Sequence, residues 1–304
     1  MPELPEVETT ANDLRKLVVG LQITDTWTNY DSPYYYGKKQ IKDPKYFKKF
    51  KKEICGSQII ETGRIGKNVL IHLNNGKTIL IHMKMTGHVL YGKYDFDKKK
   101  NEWAPSENGP LQDPFNGWIR FVITLSNKKH LALSDMRKFA KVTLLETNKL
   151  NEMDDLREIG PDPLQKIVSI SYFTDALSKK PTGKIKTVLM DQSLISGIGN
   201  IYSDEALWLS KIHPEKIVKK LSTKNFKEIF SNVKKVLKKG INFSGDSMQD
   251  YRRPNGEPGK FQHHHKVYQR KGKECMDKNC TGTISRIVVN GRSSHFCPEC
   301  QKNK

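Results

Sequence analysis

Two places in the chain combine residue types and spacings that can do chemistry. Near the carboxy terminus, Cys275 and Cys280 enclose four residues, Cys297 and Cys300 enclose two, and sixteen residues separate the pairs. Two close thiol pairs at this distance suit a tetrahedral Zn²⁺, with each pair supplied by one turn and the turns facing each other. At the other end, "MPELPEVETT" carries three carboxylates and two prolines with no basic residue, although the chain holds 53 Lys and Arg against 33 Asp and Glu. Such an acidic island is either an ordinary helix start, with carboxylates against the helix dipole, or a reagent in its own right.

The elements that must position these groups can be read from periodicity. Val7, Ala11, Leu14 and Val18 recur at helical spacing, with Pro5 in the first turn and Gly20 as a stop, so an amphipathic helix follows the terminus. The runs "SQIIETGRIGKNVLIHLNNGKTILIHMKMTGHVLYG" and "GWIRFVITLSNKKHLALSDMRKFAKVTLLET" are short, β-rich and cut by Asn-Gly turns, which predicts antiparallel strands in a sandwich or barrel. The stretch between them, "KYDFDKKKNEWAPSENGPLQDPFN", reads as a solvated polar loop. Gly160, Pro161 and Pro163 mark a linker, after which the period becomes helical around Ile185 to Leu189, Ile201 to Leu209 and the run from Ser222 to Gly240. Between the cysteine pairs, "TISRIVVNGRSSHF" predicts strand, Asn290-Gly291 turn and strand, a zinc-clamped hairpin with Arg292 beside its tip. His295 and the run at 263–265 are read as non-ligands, since four thiols already fill a zinc site, and Cys55 as a small apolar residue.

A formal charge of +20 on 304 residues points to a polyanionic partner, most often nucleic acid. No apolar run approaches a membrane span, and the first residues lack the pattern of a secretory signal, so the expected compartment is the cytoplasm, with reduced thiols. The glycines of "SGIGN", ahead of a helix beginning at Asn200, form a phosphate-binding terminus.

Taken together, "PELPEVE", "GRIGK", "SGIGNIYSDEALW" and the four-cysteine tail, in that order from residue 2 to residue 301, resemble the formamidopyrimidine-DNA glycosylase and endonuclease VIII family. The resemblance implies an α+β protein of two domains: an N-terminal antiparallel β-sandwich with an N-terminal helix, and a C-terminal helical domain with a helix-two-turn-helix motif and a zinc-bound β-hairpin finger. Mapped onto this chain, 1–150 is the catalytic domain, 151–164 the linker, 165–243 the helical domain, 244–265 a lesion-capping loop and 266–304 the finger. It further implies a monomeric base-excision repair enzyme acting on double-stranded DNA that carries oxidised bases or abasic sites, with one structural Zn²⁺.

The resemblance assigns roles residue by residue. With Met1 removed, Pro2 would be the nucleophile at C1′, its secondary amine reactive because α-amino groups titrate near neutral pH. Glu3 would move the proton at the sugar ring oxygen, Glu6 would support the same site, and Lys67 in "GRIGK" would reach phosphate and sugar near the lesion. Met85, Arg137 and Phe139 would fill the gap left by the everted base, with Lys138 on the adjacent phosphate. Lys186, Asn200, Tyr202 and Arg292 would hold the backbone, with Glu205 nearby. Met136, Lys138 and Ala140 depart from the family pattern "DPRRFG", and Lys138 cannot hold a phosphate with two parallel bonds as Arg can. The form of the terminus and of the 244–275 segment favours the branch directed to oxidised purines (8-oxoguanine and formamidopyrimidines) over the pyrimidine branch. Charge, finger and helical turn alone would equally suit a zinc-dependent protein that binds damaged DNA without cutting it; the terminus and Lys67 distinguish the two. The insertions around 30–50 and 95–117 receive no role.

Overall fold

The computed structural model describes residues 1–153, 156–248 and 250–303. Asp154, Asp155, Gln249 and Lys304 lie outside them, within stretches read from the sequence as linker, capping loop and finger. The chain forms two compact units, one of Met1–Arg157 with Phe243–Lys260, the other of Glu158–Asn242 with Phe261–Lys304. The segment 244–265 is therefore divided: most of it belongs to the amino-terminal unit.

In that unit, helix α1 (Leu4–Val18) buries Val7, Ala11, Leu14 and Val18, the stripe its periodicity predicts, and Leu4 as well. Strands β1 (Ile23–Thr28), β2 (Ile59–Ile65), β3 (Asn68–Leu73), β4 (Lys77–His82), β5 (His88–Gly92), β8 (Ile119–Leu125), β9 (His130–Ser134) and β10 (Lys141–Glu146) make two antiparallel sheets, ordered β1-β8-β9-β5 and β10-β4-β3-β2. Their inner faces meet in one apolar core: Val89, Phe121, Ile123, Leu131 and Leu133 from the first sheet, Val69, Ile71, Ile79, Ile81 and Val142 from the second, with α1 closing it through Val7 and Leu14. Each such side chain contributes roughly 1.5–3 kcal/mol when fully buried.

Both insertions are ordered. In the first, Asp43 caps helix α2 (Pro44–Ile54) by accepting from the N–H groups of Lys45 and Tyr46, and the helix buries Phe50 and Ile54. The second corrects the reading as a solvated loop. It is a hairpin of β6 (Tyr94–Asp97) and β7 (Glu102–Pro105), then two short helical turns, and it covers the outer face of the first sheet. Trp27 meets Phe96 and Trp103 edge to face at 5.7 and 6.3 Å, and Phe96 and Trp103 lie tilted at 5.1 Å; with this cover outside and the core inside, all five residues of β9 are buried. The end of this insertion docks on the returning segment: Arg252 pairs with Asp113 at 3.0 Å, Asn116 Nδ2 donates to the Gly256 carbonyl, and Tyr91 N–H donates to the Pro254 carbonyl.

The second unit contains α3 (Ile170–Ser178), α4 (Ile185–Leu189), α5 (Asn200–Leu209) and α6 (Thr223–Asn242), followed by the hairpin β11 (Ser285–Val289) and β12 (Arg292–Phe296). Ser222 and Asn225 exchange side-chain-to-backbone hydrogen bonds at the start of α6. Among the described residues no helix is long and apolar enough to cross a membrane.

Candidate DNA-repair site and its metal centre

The second sheet of the amino-terminal unit ends in a row: Ile65 pairs with Asn68, Asn68 with His82, and His82 with Lys141. Three connections leave from that end. Gly66 (φ +56°) and Lys67 make the two-residue turn from β2 to β3, residues 83–87 follow β4, and residues 135–140 precede β10. Helix α1 runs antiparallel to β2: Ala11 accepts from Thr62 Oγ1, Arg15 donates to the Thr62 carbonyl, and Glu8 pairs with Arg64, which also donates to the Gly66 carbonyl. The helix therefore aims its amino terminus, with Pro2 and Glu3, at the Lys67 turn.

Glu6 holds that terminus. It is buried, and its Oε2 accepts the Glu3 N–H at 2.7 Å while its Oε1 accepts the Asp246 N–H at 2.8 Å. Its carbonyl accepts from Thr10 Oγ1 and from the Tyr251 hydroxyl. Gly245 (φ +84°) packs where an added Cβ would meet Glu6 Cγ at 2.9 Å, so this close approach requires glycine. Glu6 thus joins the first turn of α1 to Gly245, Asp246 and Tyr251. Pro2 and Glu3 are buried beneath an exposed Met1, and Lys67 is largely buried.

The connections 83–87 and 135–140 carry exposed apolar side chains on a buried frame. Met85 and Phe139 are 39% and 47% exposed, and the Arg137 guanidinium lies 4.6 Å from the Phe139 ring centre. The frame is Asp135, fully buried, whose carboxylate accepts from Thr86 Oγ1 at 2.6 Å, the Tyr30 hydroxyl at 2.7 Å and the Ala140 N–H at 2.8 Å. Arg137 N–H donates to Thr86 Oγ1, which ties the two connections together, and Lys138 follows in the left-handed region (φ +56°). None of Thr86, Asp135 and Tyr30 is singled out by sequence reasoning, because a buried acid beside a turn reads only as a turn former.

Two histidines bracket residues 83–87. His82 is pulled down to about 3 by burial first and then by Lys84 and Lys67, and its Nδ1 accepts the Lys84 N–H. Burial pulls His88 down to about 4. The Asn116 amide donates to the Pro110 and Gly256 carbonyls, so its Oδ1 must accept from His88 Nε2–H at 2.9 Å.

In the second unit the expected contacts separate. Asn200 begins α5 just after Gly199, with its Oδ1 buried and accepting no hydrogen bond from a described residue. Arg292 is exposed beside the Asn290-Gly291 turn, where both residues have positive φ. Lys186 and Tyr202 correct the sequence reading. Lys186 is 1% exposed, and its ammonium donates to Asp204 Oδ1 at 2.6 Å and to the Ser293 carbonyl at 2.7 Å. Asp204 also accepts from Ser294 Oγ and the His295 N–H, so this ion pair fastens the finger hairpin to α4 and α5. A lysine buried and neutralised in this way does not present its charge to a phosphate. Tyr202 is equally buried, stacked on Phe261 at 5.0 Å. Glu205, which burial pushes upward, accepts the N–H groups of Lys266, Val267 and Tyr268 and shapes the entry to the finger.

The four cysteines form no disulfide, and their sulfurs lie within 4.8 Å of one another. Sγ atoms on a tetrahedral Zn²⁺ with bonds near 2.3 Å stand about 3.8 Å apart; Cys275 to Cys300 is 3.8 Å and Cys280 to Cys297 is 3.6 Å. Trp208 Nε1–H donates to Cys275 Sγ and Gly282 N–H to Cys280 Sγ, contacts that stabilise thiolate. His295 turns to Asp204 and His265 packs between Phe261 and Tyr268, so neither joins the cluster.

Comparison with known proteins agrees with this geometry. Residues 1–142 match the formamidopyrimidine-DNA glycosylase N-terminal domain, 159–252 the H2TH domain of the same enzymes, and 278–303 the zinc finger found in FPG and IleRS. Over 305 residues, spanning all of both chains, this chain is 35% identical to the formamidopyrimidine-DNA glycosylase of Desulforamulus reducens. The chain belongs to the formamidopyrimidine-DNA glycosylase family. These are DNA glycosylases of base-excision repair, and the cysteine cluster is the site of one structural Zn²⁺. Among solved structures, it is similar to MutM in complex with DNA containing carbocyclic 8-oxo-G (TM-score 0.82, 32% identity, 99% of this chain and 100% of that one). It is equally similar to Lactococcus lactis Fpg in complex with DNA containing an abasic site (TM-score 0.82, 30% identity, 99% of each chain).

Proposed function

We propose that the protein is a bifunctional DNA glycosylase and abasic-site lyase that removes oxidised purines from double-stranded DNA as a monomer. The observation that carries this reading is the convergence, at one end of one sheet, of the α1 terminus, the Lys67 turn and the two connections bearing Met85, Arg137 and Phe139. The related structures with an abasic site or with carbocyclic 8-oxo-G in their DNA support the substrate class.

Once Met1 is removed, the Pro2 amine attacks C1′, the glycosidic bond breaks and the oxidised base leaves with a proton. Glu3 protonates the ring oxygen as the sugar opens, giving an iminium between Pro2 and C1′. That electron sink acidifies C2′, and loss of its proton expels the 3′ phosphate; a second elimination expels the 5′ phosphate. Lys67 holds the phosphate beside the sugar, while Asn200 at the start of α5 and Arg292 at the finger tip hold the flanking backbone. Met85 and Phe139 occupy the space of the everted base, and Arg137 bonds the orphaned partner, which offsets the few kcal/mol that eversion costs. Glu6 acts through Glu3, Asp246 and Tyr251 as a positioning residue.

Borohydride reduction in the presence of an abasic duplex tests the chemistry: protein beginning at Pro2 gives a covalent adduct mapped to residue 2, and protein retaining Met1 gives none. Absence of an adduct from the Pro2 form would sink the lyase step. Parallel excision assays with 8-oxoguanine and thymine glycol duplexes test the lesion class, and preference for thymine glycol would move the protein to the pyrimidine branch.

A further inference from the structure

The insertion at 30–50 has a built surface that the repair chemistry does not use. Pro33–Tyr35 form a short helical turn on which Tyr34 and Tyr36 are 73% and 53% exposed, followed by the exposed Lys38 and Lys39. Lys38 Nζ lies 3.6 Å from the centre of the Tyr34 ring, and Tyr34 meets Tyr35 edge to face. The backbone beneath is anchored on the free edge of β10: Ile41 N–H donates to the Val142 carbonyl, and the Lys39 carbonyl accepts from Thr143 Oγ1.

Most of the charge of this surface has no paired carboxylate among the described residues. Residues 31–52 contain eight lysines and two acids, Asp31 and Asp43. Both acids are used internally, Asp31 by the Tyr36 hydroxyl and Asp43 by the N–H groups of Gly37, Lys45 and Tyr46. Among the described residues, only Lys49 and Lys51 of the eight pair with carboxylates, those of Glu53 and Asp25. The surface is also continuous with the 135–140 connection. Buried Lys42 donates to the Lys138 carbonyl at 2.7 Å and lies 4.6 Å and 5.1 Å from the Tyr35 and Tyr30 ring centres, while Tyr30 itself bonds Asp135. Across the sheet end the order is therefore the Lys67 turn, residues 83–87, residues 135–140, then this turn, outermost beyond β10.

We propose that the Tyr34–Lys39 turn is an additional DNA-contacting surface that grips the phosphodiester backbone of the duplex arm beyond Arg137 and Phe139, on the side away from Lys67. Lys38 and Lys39 supply phosphate contacts, the exposed tyrosines pack on sugar, and the Tyr34 hydroxyl donates to a phosphate oxygen, a grip without base specificity. It rests on the reading that Met85, Arg137 and Phe139 face the duplex.

The test compares wild type, the quadruple variant Tyr34→Ala, Tyr36→Ala, Lys38→Ala, Lys39→Ala, and Arg137→Ala, on duplexes with a stable abasic analogue whose two arms are shortened independently. Wild type loses affinity when one arm no longer reaches the turn. The quadruple variant is insensitive to that arm, keeps its dependence on the other, and has a slope of log affinity against log salt shallower by about 2. An unchanged slope with an unchanged arm dependence overturns the proposal, as does equal loss on both arms. Melting of the variant within a few degrees of wild type shows that the frame is intact. Failure of the underlying reading has a separate signature: Arg137→Ala then binds analogue and undamaged duplex in the same ratio as wild type does.

Discussion

Asp135 in the first unit and Asp204 in the second are both buried carboxylates beside residues expected to touch DNA, and the two are satisfied differently. Asp135 is bonded by neutral donors, the hydroxyls of Thr86 and Tyr30 and the Ala140 N–H, and the cations next to it in sequence, Arg137 and Lys138, stay exposed. Asp204 takes the ammonium of Lys186, and that cation is withdrawn from the surface. A buried acid that recruits neutral donors frees its neighbouring cations for a partner, whereas one that recruits a lysine consumes it. The contrast assigns framework or contact roles to charges that look alike in a motif.

The largest effect that can sharpen this contrast comes from the metal. A structural Zn²⁺ supplies on the order of 10 kcal/mol to a small finger. Cys297→Ser, or chelation, therefore should release the zinc and open residues 266–304 to proteolysis, leaving the amino-terminal unit's melting transition in place. Calorimetry with zinc analysis checks it; an equal shift in both units would break the division.

Lys186→Met leaves Asp204 buried without its cation and should cost about 3–5 kcal/mol of stability with an unchanged salt dependence of DNA binding. Denaturant unfolding and salt titration decide this. Wild-type stability with a shallower salt slope would return Lys186 to the phosphate contacts.

Asp135→Ala should cost roughly 2–3 kcal/mol, because two buried hydroxyls and an N–H lose their acceptor. Lesion-specific affinity should fall with it, as the Met85 and Phe139 connections lose their common anchor. If thermal stability drops while the preference for abasic over intact duplex survives, the carboxylate does not position those side chains.

Acid should act on the same frame. His82 and His88 are held neutral, at about 3 and about 4, by burial. Below the unfolded value near 6.5, the unfolded chain takes up protons that the folded one refuses, so stability falls as pH drops from about 6.5 towards about 4, by roughly 1 kcal/mol per histidine per pH unit. Replacing His88 with Gln should flatten that decline. The smallest effect is Arg292→Ala, an exposed change expected within about 0.5 kcal/mol in stability and about 1 in salt slope.

Much of this was legible in sequence. The stripe of α1, the β-rich runs cut by Asn-Gly turns, the Ser222 start of α6 and the Asn290-Gly291 hairpin are local patterns, and local patterns survive folding. The thiol spacing named its metal because zinc demands four ligands and little else. Lys186 and Tyr202 were misread because a motif lists side chains without their direction, and the first turns of α4 and α5 face inward. The 95–117 insertion was misread for another reason: its apolar residues are sparse, yet Tyr94, Phe96 and Trp103 alternate at the strand period and fall on one sheet face. Asp135 left no trace, since its value lies in donors 49 and 105 residues away.

Glu6 carries one more consequence. A single carboxylate grips the N–H of residue 3 with one oxygen and that of residue 246 with the other. Losing the Asp246 contact therefore strips a donor from the same group that sets the direction of the amino terminus, so one carboxylate couples the two. On the proposed chemistry the direction of the reagent and the backbone at residue 246 depend on one side chain, so a change at either is felt at the other.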